Sequence, residues 1–180
     1  MATSVTTSDQ SPEISAIKSE AGQYLTFLLG GECYALGILN IKEIIDYGRV
    51  TDVPMMPSFV RGVINLRGSV VPIIDLLARF GKGGTKIAKR TGIVIVETGD
   101  QTDDGQDIGI IVDAVNEVVD IGLDDIEAPP SFGTGIRPDF ISGMAKRNGR
   151  FIILLNVDSV LSIDEMTALG KTAVQLNIAE

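Results

Sequence analysis

The side chains that could carry out chemistry in this chain are few, and none has the partners that would make it reactive. Cys33 is the only cysteine and there is no histidine. The thiol therefore has no imidazole to take its proton, and it lies in an apolar, strand-like run where a buried and inert thiol is the usual outcome. The same composition removes Cys/His metal sites and any phospho-accepting histidine. Paired acids occur at Asp103-Asp104 and Asp124-Asp125, in loop-like stretches without apolar walls that would shift a carboxyl pKa. The stretch "DQTDDGQDIGII" puts Asp100, Asp104 and Gly105 at positions of a calcium-binding loop, but Thr102 and Ile111 stand where two further ligands belong. Strands rather than helices flank it, so it reads as an acidic hairpin loop. No GxSxG, Walker, GxGxxG or HExxH pattern is present. Neither a catalytic set nor a metal site is expected, and the chemistry left to the chain is recognition. Its best instrument is an arginine fork that can hold a carboxylate.

That arginine is Arg67, in "INLRGSVVPIIDL". The stretch reads as a β-hairpin, with a turn at Arg67-Gly68 and a proline, Pro72, inside the second strand. Asn or Asp is the usual residue at that turn position. A type II turn, in which only Gly68 needs a positive φ, accommodates arginine best, so that turn is expected. Pro72 cannot donate a ladder hydrogen bond, which points to an edge strand or a bulge, or to an exposed groove covered by another protein.

The elements around this hairpin occur twice. "FVRGVINLRGSVVPIIDL" aligns without a gap on "FISGMAKRNGRFIILLNV", 81 residues later, pairing Phe59 with Phe140, Gly68 with Gly149, Arg67 with Asn148 and Asp75 with Asn156. "ALGILNIKEIIDY" aligns on "GIIVDAVNEVVDI", 74 residues later, pairing Glu43 with Glu117 and Asp46 with Asp120. Two matched blocks in the same order mark an internal duplication. "GLDDIEAPPSFGTGIRPD" holds the extra residues of the second copy, and "GKGGTKIAKR" is the joint between copies. Each copy reads as a strand ("YLTFLL", "GIVIVE"), a second strand ("CYALGI", "IGIIVD"), a short helical stretch ("NIKEII", "AVNEVV"), and a closing hairpin. Asp75 and Asn156 each precede a short helix that they can cap. The strands "SVVPIID" and "RFIILLN" are apolar almost without alternation, so both faces should be covered, as at a seam between two packed units. "SIDEM", from Ser162, has the form of a capping box opening a closing helix.

These readings bound the whole chain. A first repeat spans about 23–82 and a second about 90–160, within one unit of about 23–169. A Ser/Thr-rich tail at 1–22 is expected to be mobile, and a helix and tail close the chain at 162–180. The fold class is mainly β: two small barrels from the duplication, with short helices and a C-terminal helix. The formal charge is −9 and the pI about 4.5, which disfavours nucleic acid and anionic membrane surfaces. No apolar run is long enough to span a bilayer, and no secretory leader opens the sequence. A single cysteine fits a reducing cytoplasm.

The "NLRG" turn followed by "VPIIDL", with "LGILNIKEII" before it and "GIIVDAVNEVVDI" after it, resembles the CheW family of chemotaxis coupling proteins, from about Gln23 to about Leu169. The resemblance implies two five-stranded SH3-like β-barrels sharing a core, with strand exchange between the sequence halves. It implies no enzymatic activity and no cofactor. It implies a cytoplasmic adaptor, recruited to arrays at the inner membrane, that bridges chemoreceptor tips and the regulatory domain of the histidine kinase CheA in ring-forming assemblies. By motif position Arg67 is the arginine associated with receptor coupling, with Glu43, Ile41 and Pro72 beside it. Phe132, Ile110 and Val112 are candidates for kinase contact. The alternatives are a CheW-like regulatory domain of a kinase, which the N-terminal tail and closing helix argue against, and an SH3-like module of another pathway.

Overall fold

The computed structural model describes residues 22–98, 106–129 and 136–161. The tail before residue 22, the acidic loop at 99–105, Phe132 and the closing helix from Ser162 lie outside the described residues.

Chain order gives β1 (Gln23–Leu29), β2 (Glu32–Gly37), β3 (Ile41–Asp46), β4 (Val60–Leu66), β5 (Ser69–Asp75), the one-turn helix α1 (Leu76–Arg79), β6 (Gly92–Thr98), β7 (Gln106–Val112), β8 (Ala114–Asp120), the two-residue β9 (Ile126–Glu127), β10 (Ile141–Arg147), β11 (Arg150–Leu155) and α2 (Val157–Val160). Asp75 caps α1, its Oδ1 accepting from the amides of Leu77 and Ala78, and Asn156 caps α2 by accepting from the amide of Ser159. The stretches expected to be helical, 40–45 and 114–119, fall on strands β3 and β8, with a single 3-10 turn (Ile38–Asn40) ahead of β3. Six residues patterned Ile-Lys-Glu-Ile-Ile-Asp satisfy a helical and an alternating period alike, and pairing with a neighbouring strand decides between them.

The strands form a six-stranded sheet in the order β8-β1-β2-β11-β10-β9 and a five-stranded sheet in the order β3-β6-β7-β5-β4. Each sheet draws on both repeats. The opening hairpin β1–β2 joins the strands of the second copy, pairing antiparallel with β8 and parallel with β11. The equivalent hairpin β6–β7 joins the first copy, pairing with β3 and β5. The duplication extends to irregularities: a bulge between Val60 and Gly62 in β4 recurs between Ile141 and Gly143 in β10. At Gly62 a Cβ would drive into the carbonyl oxygen of Thr51, which bridges Val63 from outside the sheet.

The exchange explains the apolar strands. Ile74 of β5, with Ile153 and Leu155 of β11, lies in a central core that also holds Phe27, Tyr34, Val94, Ile110 and Phe140. The alternate residues pack elsewhere: Ile73 in a cluster inside the five-stranded sheet, and Ile152 and Leu154 in one inside the six-stranded sheet. Two-sided burial is thus confined to the C-terminal parts of these strands, since Val70 and Phe151 near their starts are exposed. Each fully buried aliphatic side chain contributes roughly 1.5–3 kcal/mol, so this core is the main stabilising term.

Two local expectations are corrected. Strand β5 is not an edge, and the bulge lies in β4 rather than at the proline. Pro72 faces Val63, whose N–H and C=O both bond outward to Thr51 at 2.9 and 2.8 Å. This is a non-hydrogen-bonded pair, so the nitrogen of Pro72 points away from β4, and β7 begins to pair only at Ile73. No donor is required there. The second correction is the turn. Arg67 has φ 53° and Gly68 φ 86°, matching Asn148 at 54° and Gly149 at 76°. The register Leu66 to Ser69 leaves two residues for the turn. Such a hairpin follows the twist of its strands when both central residues are left-handed. Pairing has overridden the preference of arginine, at a cost of about 1–2 kcal/mol.

Candidate functional site

Arg67 projects from the tip of the β4–β5 hairpin with 79% of its side chain exposed, and its Nη2 donates to Oε2 of Glu43 at 2.7 Å. Strands β3 and β4 end opposite sides of the five-stranded sheet, so this ion pair ties the tip of the last hairpin to the first strand. Asn65 steadies the turn by accepting the amide of Gly68 at 2.9 Å through its Oδ1. The other oxygen of Glu43, Oε1, is buried without a hydrogen-bond partner among the described residues. The carboxylate thus keeps acceptor capacity at the edge of a cleft of about 400 Å³ lined by Lys42, Glu43, Leu66, Arg67, Ile95 and Asp107. Lys42 lies 2.9 Å from Oδ1 of Asp107 and 3.9 Å from Glu97. The hydrogen bond to Asp107 holds the Lys42 ammonium above its ordinary pKa. Lys42 and Arg67 come from the first repeat and Asp107 from the second, so the rim exists only because β6–β7 crosses over.

The second repeat has the same cleft with different chemistry. A cavity of about 330 Å³ is lined by Thr26, Cys33, Asn116, Glu117, Asn148 and Arg150 among others. The repeat offsets place Glu117 where Glu43 stands, Asn116 for Lys42, Asn148 for Arg67, Arg150 for Ser69 and Cys33 for Asp107. Glutamate persists, but the arginine that pairs with it does not. In its place, Thr26 Oγ1 donates to the carbonyl of Glu117 at 2.8 Å and accepts its amide at 3.2 Å. Burial pushes the Cys33 thiol up, against a hydrogen bond from Asn116 that lowers it.

The structure brings Arg67 and Glu43 together, whereas Ile41, separated from Glu43 by a bulge in β3, turns to the other face and packs against the central core. Pro72 is half-buried and lies outside the lining of the Arg67 cleft. Ile110 and Val112 are 1% and 0% exposed. The crossover of β6–β7 carries both into the central core, which leaves neither side chain at the surface of the described residues. Sequence reasoning did not find Lys42, Asp107 or the second cleft. The duplication held the signal for the latter, because the same two offsets applied to Glu43 and Arg67 land on Glu117 and Asn148. Among the described residues no three metal-ligating side chains cluster.

A family model described as the CheW-like domain matches residues 23–165. The chain is 32% identical to the chemotaxis protein CheW of Klebsiella aerogenes over 151 residues, covering 84% of this chain and 88% of that protein. It is 35% identical to the chemotaxis protein CheW of Helicobacter pylori over 145 residues, covering 81% and 84%. The crystal structure of the scaffolding protein TtCheW from Thermoanaerobacter tengcongensis superposes with a TM-score of 0.70 at 38% identity, covering 78% of this chain and 87% of that one.

Proposed function

The chain belongs to the CheW family, whose members are non-enzymatic scaffolds of chemotaxis, and from that premise we propose that it couples the cytoplasmic tips of chemoreceptors to the regulatory domain of the histidine kinase CheA. It does so in the cytoplasm, recruited to ring-forming receptor arrays at the inner membrane. In keeping with an adaptor that does not itself insert, no helix among the described residues is long and apolar enough to cross a membrane. The receptor-facing site is the rim of Arg67 and Glu43, with Ile41 and Pro72 behind it. Phe132 is a kinase contact.

The observation that carries this reading is the state of Arg67. The hairpin would fold better with asparagine at φ 53°, as the second copy does at Asn148. The fold keeps a disfavoured residue there, nearly four-fifths exposed and paired to a carboxylate that retains a free acceptor. Strain held at an exposed charged group is the mark of a position kept for a partner.

The test is co-sedimentation of the purified protein with membranes carrying a cognate receptor and with CheA, followed by receptor-stimulated kinase activity. The wild type is expected in the pellet with active kinase. Arg67→Ala is expected to fold with an unchanged melting temperature and to lose coupling about tenfold or more, the range for an exposed but partner-desolvated charge pair. Unchanged binding per folded molecule would remove Arg67 from the site, and wild-type protein remaining in the supernatant at every salt would end the coupling reading.

A further inference from the structure

The segment after α1 concentrates positive charge in an acidic chain. Residues 81–91 carry Lys82, Lys86, Lys89 and Arg90 and no acid, in a chain with formal charge −9. All four cations are exposed, as is Ile87 at 44%. Among the described residues none of the four pairs with a carboxylate; the ion pairs there belong to Lys42, Arg61, Arg67 and Arg137.

A joint between repeats needs neither charge nor order, yet this one is fastened along its length. The amide of Lys82 donates to the Leu77 carbonyl at 2.8 Å. Thr85 is 3% exposed and docks on the buried Asp75, its amide donating to Oδ2 at 2.8 Å and its hydroxyl to Oδ1 at 3.0 Å. Arg61 closes the latch from the other side: Nε and Nη2 reach Oδ2 at 3.2 and 3.0 Å, and Nη2 also donates to the Thr85 carbonyl. At the far end Thr91 Oγ1 accepts the amide of Ala88 at 2.7 Å. The second repeat serves as the internal control. There Asn156 caps α2 by accepting the Ser159 amide, and Ser142, in the place of Arg61, donates to the Leu154 carbonyl. A neutral side chain therefore suffices for the cap, and what the buried Asp75 adds is the docking of Thr85 and Arg61, which holds the cation-bearing segment in place.

We propose that residues 82–90 form a docking site for an acidic segment of a partner protein, a site separate from the Arg67 rim and independent of the coupling reading. Charge selects the occupant. A nucleic-acid duplex or an anionic bilayer presents an extended negative surface, which the chain's net charge of −9 opposes. A short carboxylate-rich peptide engages only the basic strip, because charges beyond about 8 Å are screened at physiological ionic strength.

The test is fluorescence anisotropy of a labelled oligo-glutamate peptide titrated with the full chain. The wild type is expected to bind with an affinity that falls as salt rises. The variant K82E/K86E/K89E/R90E, altered only at exposed positions, is expected to lose about tenfold or more. Thr85→Val, which keeps all four cations but undoes the latch, is expected to lose about threefold, with faster amide exchange at 82–90 and a melting temperature within a few degrees of wild type. Asp75→Asn, which keeps the cap as Asn156 does, is the second way to undo it. Equal affinity of the charge-reversed variant and the wild type overturns the proposal. So does equal affinity of both latch variants and the wild type, or tighter binding to phosphatidylserine vesicles or duplex DNA than to the peptide.

Discussion

The hairpins β4–β5 and β10–β11 are two solutions to one folding problem, with the same turn, the same bulge, the same cap position and the same two-sided burial at the C-terminal end. Where they agree, the fold is speaking: Gly68 and Gly149 both take left-handed φ, and Gly62 and Gly143 both sit at the bulge. Where they differ, the first hairpin is the costlier one. It places arginine at φ 53° instead of asparagine, and a buried carboxylate in place of a neutral amide at the cap. A residue that the fold can do without, shown by its twin, is retained for something else. The twin thus separates structural from functional residues within one molecule.

The largest effect that would sharpen this contrast is at the caps. Asp75→Ala removes a cap and also strips Thr85 and Arg61 of their acceptor in a site where Asp75 is 1% exposed. Losing a buried, multiply bonded charge costs about 3 kcal/mol, even with Arg61 a third exposed and able to recover some hydration. Asn156→Ala removes one cap bond and costs about 1 kcal/mol. Urea denaturation of both variants measures the gap, and equal losses would mean that the latch contributes nothing beyond the cap.

Next in size is exchange of the turn residues. Arg67→Asn gives the first hairpin the residue of the second and is expected to raise stability by about 1 kcal/mol, because asparagine tolerates the left-handed region. Asn148→Arg is expected to lower it by about as much. Only Arg67→Asn should weaken receptor coupling. Stability that moves the same way in both variants would contradict the assignment of strain to Arg67.

Much of this is legible in the sequence alone. Local chemistry shows the Asn-Gly turn, both caps and the Arg67 anomaly, because each depends on residues within a few positions. Elements fixed by distant pairing are not legible in that way. Strands β3 and β8 are edges whose six or seven residues fit a helix as well as a strand, and only β6 and β1 decide the matter. The left-handed Arg67 follows from the register Leu66 to Ser69, which overrides the preference of arginine. The burial of Ile110 and Val112 and the meeting of Lys42 with Asp107 both depend on the exchange of opening hairpins between repeats. No local pattern encodes that exchange.

The smallest effect tests the part of the comparison that both repeats share, the glutamate. Glu43 and Glu117 occupy equivalent places, but only Glu43 holds an arginine. That pair has a side chain 79% exposed at one end, so Glu43→Gln should change stability by less than about 0.5 kcal/mol, the range for solvated ion pairs. Its effect should fall on geometry. The amide oxygen of the substituted side chain can still accept one hydrogen bond from the guanidinium, but without the charge the fork is held less firmly. Coupling should drop by less than Arg67→Ala produces, and the drop should shrink as salt rises, since screening weakens the same pair in the wild type. Glu117→Gln has no arginine to release and should leave receptor coupling unchanged. Equal losses of coupling from the two glutamine variants would show that the glutamates serve the fold of both clefts, and that the asymmetry between the repeats rests on Arg67 alone.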